Sequence, residues 1–160
     1  VPVLKNGSLT VWESMAILEY AAEVYPEAGL WPERRELRAI ARAMSGEMHS
    51  GFSALRSSCP MNMRRDAKPT AVPAALAADI SRIITLWSEC LDRSGGPFLF
   101  GDFTIADAMY APVVSRFGSY GLTDDAVARR YCAAMKALPV WQEWETAARM
   151  EPWTITSEEI

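Results

Sequence analysis

Glu13 and Ser14 are the residues whose types and position best fit chemistry. They stand where strand-like alternation gives way to helical spacing. The first turn of a helix exposes unpaired N–H groups and the positive end of its dipole, so a carboxylate is a natural ligand there. A glutamate beside such a donor supplies the second half of a clamp for a zwitterion. The plainer reading is a helix N-terminus that Ser14 only caps. Asp107, in Thr104-Ile105-Ala106-Asp107, is the acidic member of a capping box rather than a catalytic carboxylate. Cys59 precedes Pro60 in a loop near Arg64 and Arg65. A nucleophilic thiol needs a base or cationic surroundings, and no motif here supports that role. Cys90 and Cys132 lie inside helical patterns and read as packing. His49 has no second ligand nearby and takes no role. Met44, Met48 and Phe52 follow one helical face, the spacing of a core stripe. Arg56, Arg64, Arg65 and Lys68 read as a solvated basic surface, and Asn6-Gly7-Ser8 as a turn.

The 160 residues fit one domain, or one domain and part of another. Half are apolar and 22 % charged, with a net charge of −4 and a pI of about 5.1. That balance belongs to a packed chain rather than a disordered one, and it lacks the basic footprint of a nucleic-acid binder. No apolar run approaches the ~20 residues of a membrane span, and no secretory leader opens the chain. Three widely spaced cysteines form neither a disulfide framework nor a zinc ligand set. A reducing cytoplasm is the expected setting. The opening Val1-Pro2-Val3-Leu4 enters a strand directly, which predicts a missing upstream segment.

Positioning these residues falls to a hairpin and a series of helices. Val3-Leu4-Lys5 and Leu9-Thr10-Val11 flank Asn6-Gly7, a hairpin signal. From Ser14 a helix carries Ile17, Leu18, Ala21 and Val24 on one face and stops at Tyr25-Pro26. Residues 26–32 form a linker between two prolines. One long helix is then predicted, from Leu37 through Ile40, Ala41, Met44, Met48, Phe52 and Leu55 to Cys59-Pro60, roughly 25 residues and about 37 Å. A loop covers Met61 to Val72. The next helix opens at Pro73 with Leu76, Ile80, Ile83, Ile84, Trp87 and Leu91 inward, and ends at Ser94-Gly95-Gly96-Pro97. A further helix follows the capping box, with a kink expected at Pro112. Thr123-Asp124-Asp125 caps the next, and Pro139 opens the last, with Val140, Trp141, Trp144 and Ala148 inward. The tail from Glu151 reads as loose.

In this order the residues resemble a cytosolic glutathione transferase of bacterial type, from the end of its thioredoxin-like domain onward. Val1-Pro2 resembles the family's cis-proline loop. Trp12-Glu13-Ser14-Met15-Ala16-Ile17-Leu18-Glu19-Tyr20 resembles its Glu/Gln-Ser-x-Ala-Ile-x-x-Tyr segment. Pro97 through Asp107 resembles its Gly-x-x-x-Ser/Thr-Ile-Ala-Asp folding motif. The implied fold is mainly α: residues 1–25 finish the thioredoxin-like glutathione-binding domain, 26–32 link, and 33–160 form the all-helical domain.

The resemblance implies that Ser14 holds the γ-glutamyl carboxylate of glutathione and Glu13 its ammonium. It implies that Val1 pairs through its backbone with the cysteinyl part, beside Pro2. Met44, Met48 and Phe52 would border the pocket for a small hydrophobic electrophile. The reaction implied is transfer or conjugation of the glutathione thiolate, with the activating Ser, Tyr or Cys upstream of Val1 and therefore weak or no turnover from these residues alone. No metal is implied, nor a nucleic-acid or membrane partner. A homodimer is expected, with Glu36, Arg38, Arg42 and Glu47 available for its interface. A non-catalytic glutathione-fold module and a purely helical interaction domain are the alternatives.

Overall fold

Gly7, at φ +60°, turns the chain so that Val3–Asn6 (β1) pairs antiparallel with Leu9–Trp12 (β2), Asn6 opposite Leu9. The structure, a computed structural model, describes residues 2–156. The turn proper is Gly7-Ser8, one residue later than the Asn-Gly signal places it. Asn6 remains in the strand, and its amide donates to the Tyr20 hydroxyl at 2.7 Å. Glycine supplies the positive φ that a two-residue hairpin demands at its first central position. Trp12, 70 % exposed, and Val3 leave apolar surface on the hairpin open.

Helix α1 (Ser14–Val24) returns along the hairpin. It has no fully buried residue; Met15, Leu18 and Ala22 pack against the core, while Val24 faces outward, contrary to the sequence pattern. A 3-10 turn at Pro26–Ala28 and left-handed Gly29 follow. The linker is tied to the helical part where the Ile105 N–H donates to the Leu30 carbonyl, 2.9 Å.

The predicted long helix is two. Helix α2 (Arg35–Ser50) stops at Gly51, and α3 (Ser53–Ser58) restarts after Phe52, whose backbone is left-handed at φ +55°. A β-carbon on Gly51 would lie 2.5 Å from the Glu47 carbonyl oxygen, so this reversal needs glycine. The apolar stripe continues across the break because the turn drives the Phe52 ring into the core, 6.5 Å from Tyr110. Burial of that ring offsets the cost of the left-handed conformation.

Helices α4 (Ala74–Ser94), α5 (Ile105–Tyr120), α6 (Ala126–Lys136) and α7 (Pro139–Met150) complete the described architecture. Trp87 of α4 is fully buried at its centre, with ring centroids 5.7 Å from Tyr110, 5.3 Å from Phe117 and 4.6 Å from Tyr131. Gly95, left-handed, ends α4 as its sequence predicts, and α5 continues through Pro112 to Tyr120. Asp107 is buried and acts as the fold's polar knot. Its Oδ2 accepts from the Thr104 N–H at 2.9 Å, and its Oδ1 from the Leu99 N–H at 3.1 Å and the Tyr131 hydroxyl at 2.9 Å. Burial pushes its carboxyl above the ordinary range, and these donors pull it part of the way back.

Two loop readings change. The Met61–Val72 loop lies along the end of α5, where Lys68 and Thr70 N–H groups donate to the Ser119 and Tyr120 carbonyls. The segment after α7 is strapped rather than loose: Arg64 donates to the carbonyls of Glu151 (3.1 Å) and Trp153 (2.9 Å) and to the Thr154 hydroxyl (3.2 Å). Arg65 stacks over Tyr120 at 4.5 Å. Much of the basic run therefore holds loops in place.

Candidate functional site

Glu13 lies between β2 and α1 in a conformation rare for any residue but glycine, φ 78° and ψ 132°. A glutamate held in such a strained backbone region is over-determined by its surroundings, a property that clusters at ligand-binding corners. The strain aims the side chain back over the helix tip. Its carboxylate accepts from the Met15 N–H (2.9 Å) and the Ala16 N–H (3.1 Å), and the Ser14 hydroxyl donates to it at 3.0 Å. The Met15 N–H above all holds the Glu13 carboxyl below the usual carboxylate range, with Ala16, Ser14 and His49 pulling the same way against desolvation. The cap is thus Glu13, with Ser14 as its donor, rather than Ser14 itself.

Across the corner stands His49, in the last turn of α2, its Nε2 3.4 Å from Glu13 Oε1. Sequence spacing carried no sign of this pairing, because Glu13 and His49 belong to elements whose docking only the fold decides. The docking is reinforced by Arg42, whose guanidinium forms a two-pronged bond to Glu19 of α1 (2.8 and 2.9 Å) and lies 5.5 Å from the Trp31 ring centroid. Glu47 is likewise committed within the chain, accepting two bonds from Arg82, and Arg38 donates to the Pro32 and Glu33 carbonyls.

A cavity of about 580 Å³ opens beside this corner. Pro2 and Ser14 border it on one side; Met48, Met109, Trp141 and Trp144 are among its apolar lining. Its walls contain one hydroxyl, Ser14, one imidazole, His49, and one guanidinium, Arg56, and no carboxylate among the described residues. The three apolar candidates separate here. Met48 lines the cavity, whereas Met44 and Phe52 are core residues that do not. Met44 meets the Cys90 thiol at 3.7 Å and its carbonyl accepts from Tyr110, and Phe52 packs beside the Tyr110 ring. Val140, expected in the core, is 61 % exposed and borders the cavity instead. Val1 lies outside the described residues.

The surroundings of the three cysteines disfavour the thiolate. Cys59 and Cys90 are buried, and desolvation raises all three thiols, Cys90 and Cys132 to about 11. Among the described residues no group of three or more acidic, histidine or cysteine side chains is placed to hold a metal, and no helix is long and apolar enough to cross a membrane.

A two-strand hairpin ending in a glutamate-capped helix, followed by a helical array knotted on Asp107, defines a known class, and the match to its family model is direct. The chain belongs to the glutathione S-transferase family, the model of whose C-terminal domain matches residues 66–147. Among curated relatives, rat maleylacetoacetate isomerase is 32 % identical over 116 residues, 72 % of this chain and 52 % of the rat protein. The mouse protein of the same name is 39 % identical over 57 residues, covering 36 % of this chain and 26 % of its own. The chain thus spans about half the length of the curated relative it matches most extensively. Among solved structures, a glutathione transferase homologue from Burkholderia with bound glutathione superposes with a TM-score of 0.70 at 28 % identity. That match covers 93 % of this chain and 73 % of the other.

Proposed function

We propose that this protein uses glutathione to attack or isomerise a small, largely apolar electrophile. In this reading residues 1–25 end the glutathione-binding domain, 26–32 link, and 33–160 form the substrate-side helical domain. The observation that carries the reading is Ser14, bonded to the Glu13 carboxylate, bordering the cavity. This pair fits one end of the tripeptide. The Ser14 hydroxyl, which would turn from Glu13 to the ligand, and the positive end of the helix suit the γ-glutamyl carboxylate, and the Glu13 carboxylate, already fixed by the Met15 and Ala16 N–H groups, keeps lone pairs for the adjacent ammonium. Pro2 borders the same cavity and Met48 contributes a soft, adaptable wall. The glutathione-bound Burkholderia homologue supports the choice of ligand, and the isomerase name of the rat relative supports isomerisation beside conjugation.

Glutathione, when bound, supplies a nucleophilic thiol, which at an ordinary pKa near 8.5 is only a few per cent ionised at neutral pH. Lowering that pKa calls for a donor near the sulfur, which this reading assigns to a residue outside these 160. Within them, Ser14 and Glu13 bind and orient, and the apolar walls exclude water. The remaining parts of the proposal are a cytoplasmic setting, a role in detoxification, no metal, no nucleic-acid or membrane partner, and a homodimer. Light scattering that gives a monomer mass at every concentration would remove the last.

Calorimetry with glutathione tests the core of the reading. Ser14→Ala should weaken binding about tenfold, the loss of one charge-assisted hydrogen bond. Unchanged affinity in that variant would overturn the assignment. Binding without any conjugation or isomerisation by the complete protein would favour a non-catalytic module.

A further inference from the structure

From the polarity of the cavity wall we infer that Arg56 is a carboxylate-binding, specificity-determining residue. The inference rests on reading this cavity as the place where glutathione meets its co-substrate. The walls are apolar apart from Ser14, His49 and Arg56, and no acidic side chain among the described residues lines them. His49 faces Glu13. Arg56 differs, because no carboxylate among the described residues pairs with it. Among the described residues its one bond runs from Nη1 to the His49 carbonyl oxygen at 3.1 Å.

That tether has two effects. It fixes a long side chain that would otherwise be free to swing into water, reducing the ordering cost of binding. It also leaves the other guanidinium N–H groups available, in the fork geometry that matches a planar carboxylate. The cation stands on α3, across the break from Met48 and His49 of α2, so all three walls come from one reversal of the chain. An apolar cavity with one cation at its edge that no carboxylate among the described residues neutralises fits a molecule with an apolar body and one anionic end. The shared chemistry is a carboxylate, and two sources can provide it: the co-substrate, or the glycyl end of glutathione.

Quenching of the cavity tryptophans Trp141 and Trp144 in the purified protein reads this directly. In the first arm the probes are 2-naphthoate and its neutral counterpart 2-naphthalenemethanol. The expected result is that naphthoate binds roughly tenfold tighter, the worth of one charge-assisted pair. Arg56→Gln should abolish that preference while leaving the alcohol's affinity unchanged, and Arg56→Lys should restore part of it. In the second arm glutathione is compared with its glycyl ethyl ester. A preference for the free acid that Arg56→Gln removes assigns the carboxylate to glutathione. Arg56 is exposed, so the variants should keep the native melting temperature. If Arg56→Gln alters neither preference, or neither preference exists, the inference is wrong. Because the first arm contains no glutathione, its failure is separable from failure of the Ser14→Ala test.

Discussion

The Tyr131 hydroxyl donates to Asp107 Oδ1 at 2.9 Å, a bond between two fully buried side chains that joins α6 to the start of α5. The same carboxylate satisfies the Leu99 and Thr104 N–H groups, so one residue closes a loop, caps a helix and fixes a neighbouring helix. Asp107→Ala would strand three buried donors at once. The expected cost is about 3 kcal/mol or more, against about 1 kcal/mol for Tyr131→Phe. Urea unfolding of the two variants checks the ratio, and equal losses would refute the shared-acceptor role.

The Glu13 cap gives α1 a pH dependence with a definite sign. A carboxyl held below its usual range by the Met15 N–H is deprotonated more readily in the folded than in the unfolded chain. Between the two values the unfolded state binds more protons, so stability rises with pH. The contribution is complete above the ordinary glutamate range near ~4.3 and fades as pH falls through the lowered value. Amide chemical shifts of Met15 and Ala16 should follow this titration, and Glu13→Gln should flatten it.

Gly51→Ala should cost about 1–3 kcal/mol, the usual penalty for forcing an atom into filled space. The cause is the Glu47 carbonyl oxygen, 2.5 Å from the added carbon. Gly46, with nothing within 4 Å of an added β-carbon, is the control: Gly46→Ala should be neutral or stabilising, since alanine favours a helix interior. Thermal melts of both variants decide it.

Arg64→Ala should release the segment after α7 without unfolding the core. Three bonds to Glu151, Trp153 and Thr154 vanish together. Amide exchange over residues 152–156 should accelerate, while global stability falls by about 1 kcal/mol, the centre of the range for single substitutions. Unchanged exchange there would show that the strap contributes nothing.

The Arg42–Glu19 pair docks α1 on α2 from the surface, with side chains 48 % and 33 % exposed. A double-mutant cycle should return a coupling of about 0.2–1 kcal/mol, shrinking at high salt. Arg42→Ala should lose more than Glu19→Ala, because it also removes the cation from the Trp31 ring.

Local signals carried most of the architecture. Gly95, Asp125 and the Thr104–Asp107 box end or begin helices where their backbone chemistry requires it, and those elements appear where the residues place them. The break at Gly51–Phe52 was hidden because the apolar spacing runs straight through it. Periodicity reports which side chains are inward, not whether the backbone between them stays helical. The same blindness grouped Met44, Met48 and Phe52, which the fold divides between core and cavity. Glu13 and Ser14 were legible from the change of period, whereas His49 and Arg56 were not. A histidine and an arginine acquire their surroundings only when α1, α2 and α3 pack, and nothing within either residue's own helix records that.

The left-handed turn at Phe52 therefore acts as a ruler for charge. Had α2 run on unbroken, Arg56 would stand seven residues beyond His49, about 10 Å farther along a straight axis. The reversal instead folds the guanidinium back onto the His49 carbonyl, at the lip of the hollow. Lengthening or straightening this single bend would slide the positive charge along the wall and retune which molecules enter, leaving every residue that touches them unaltered.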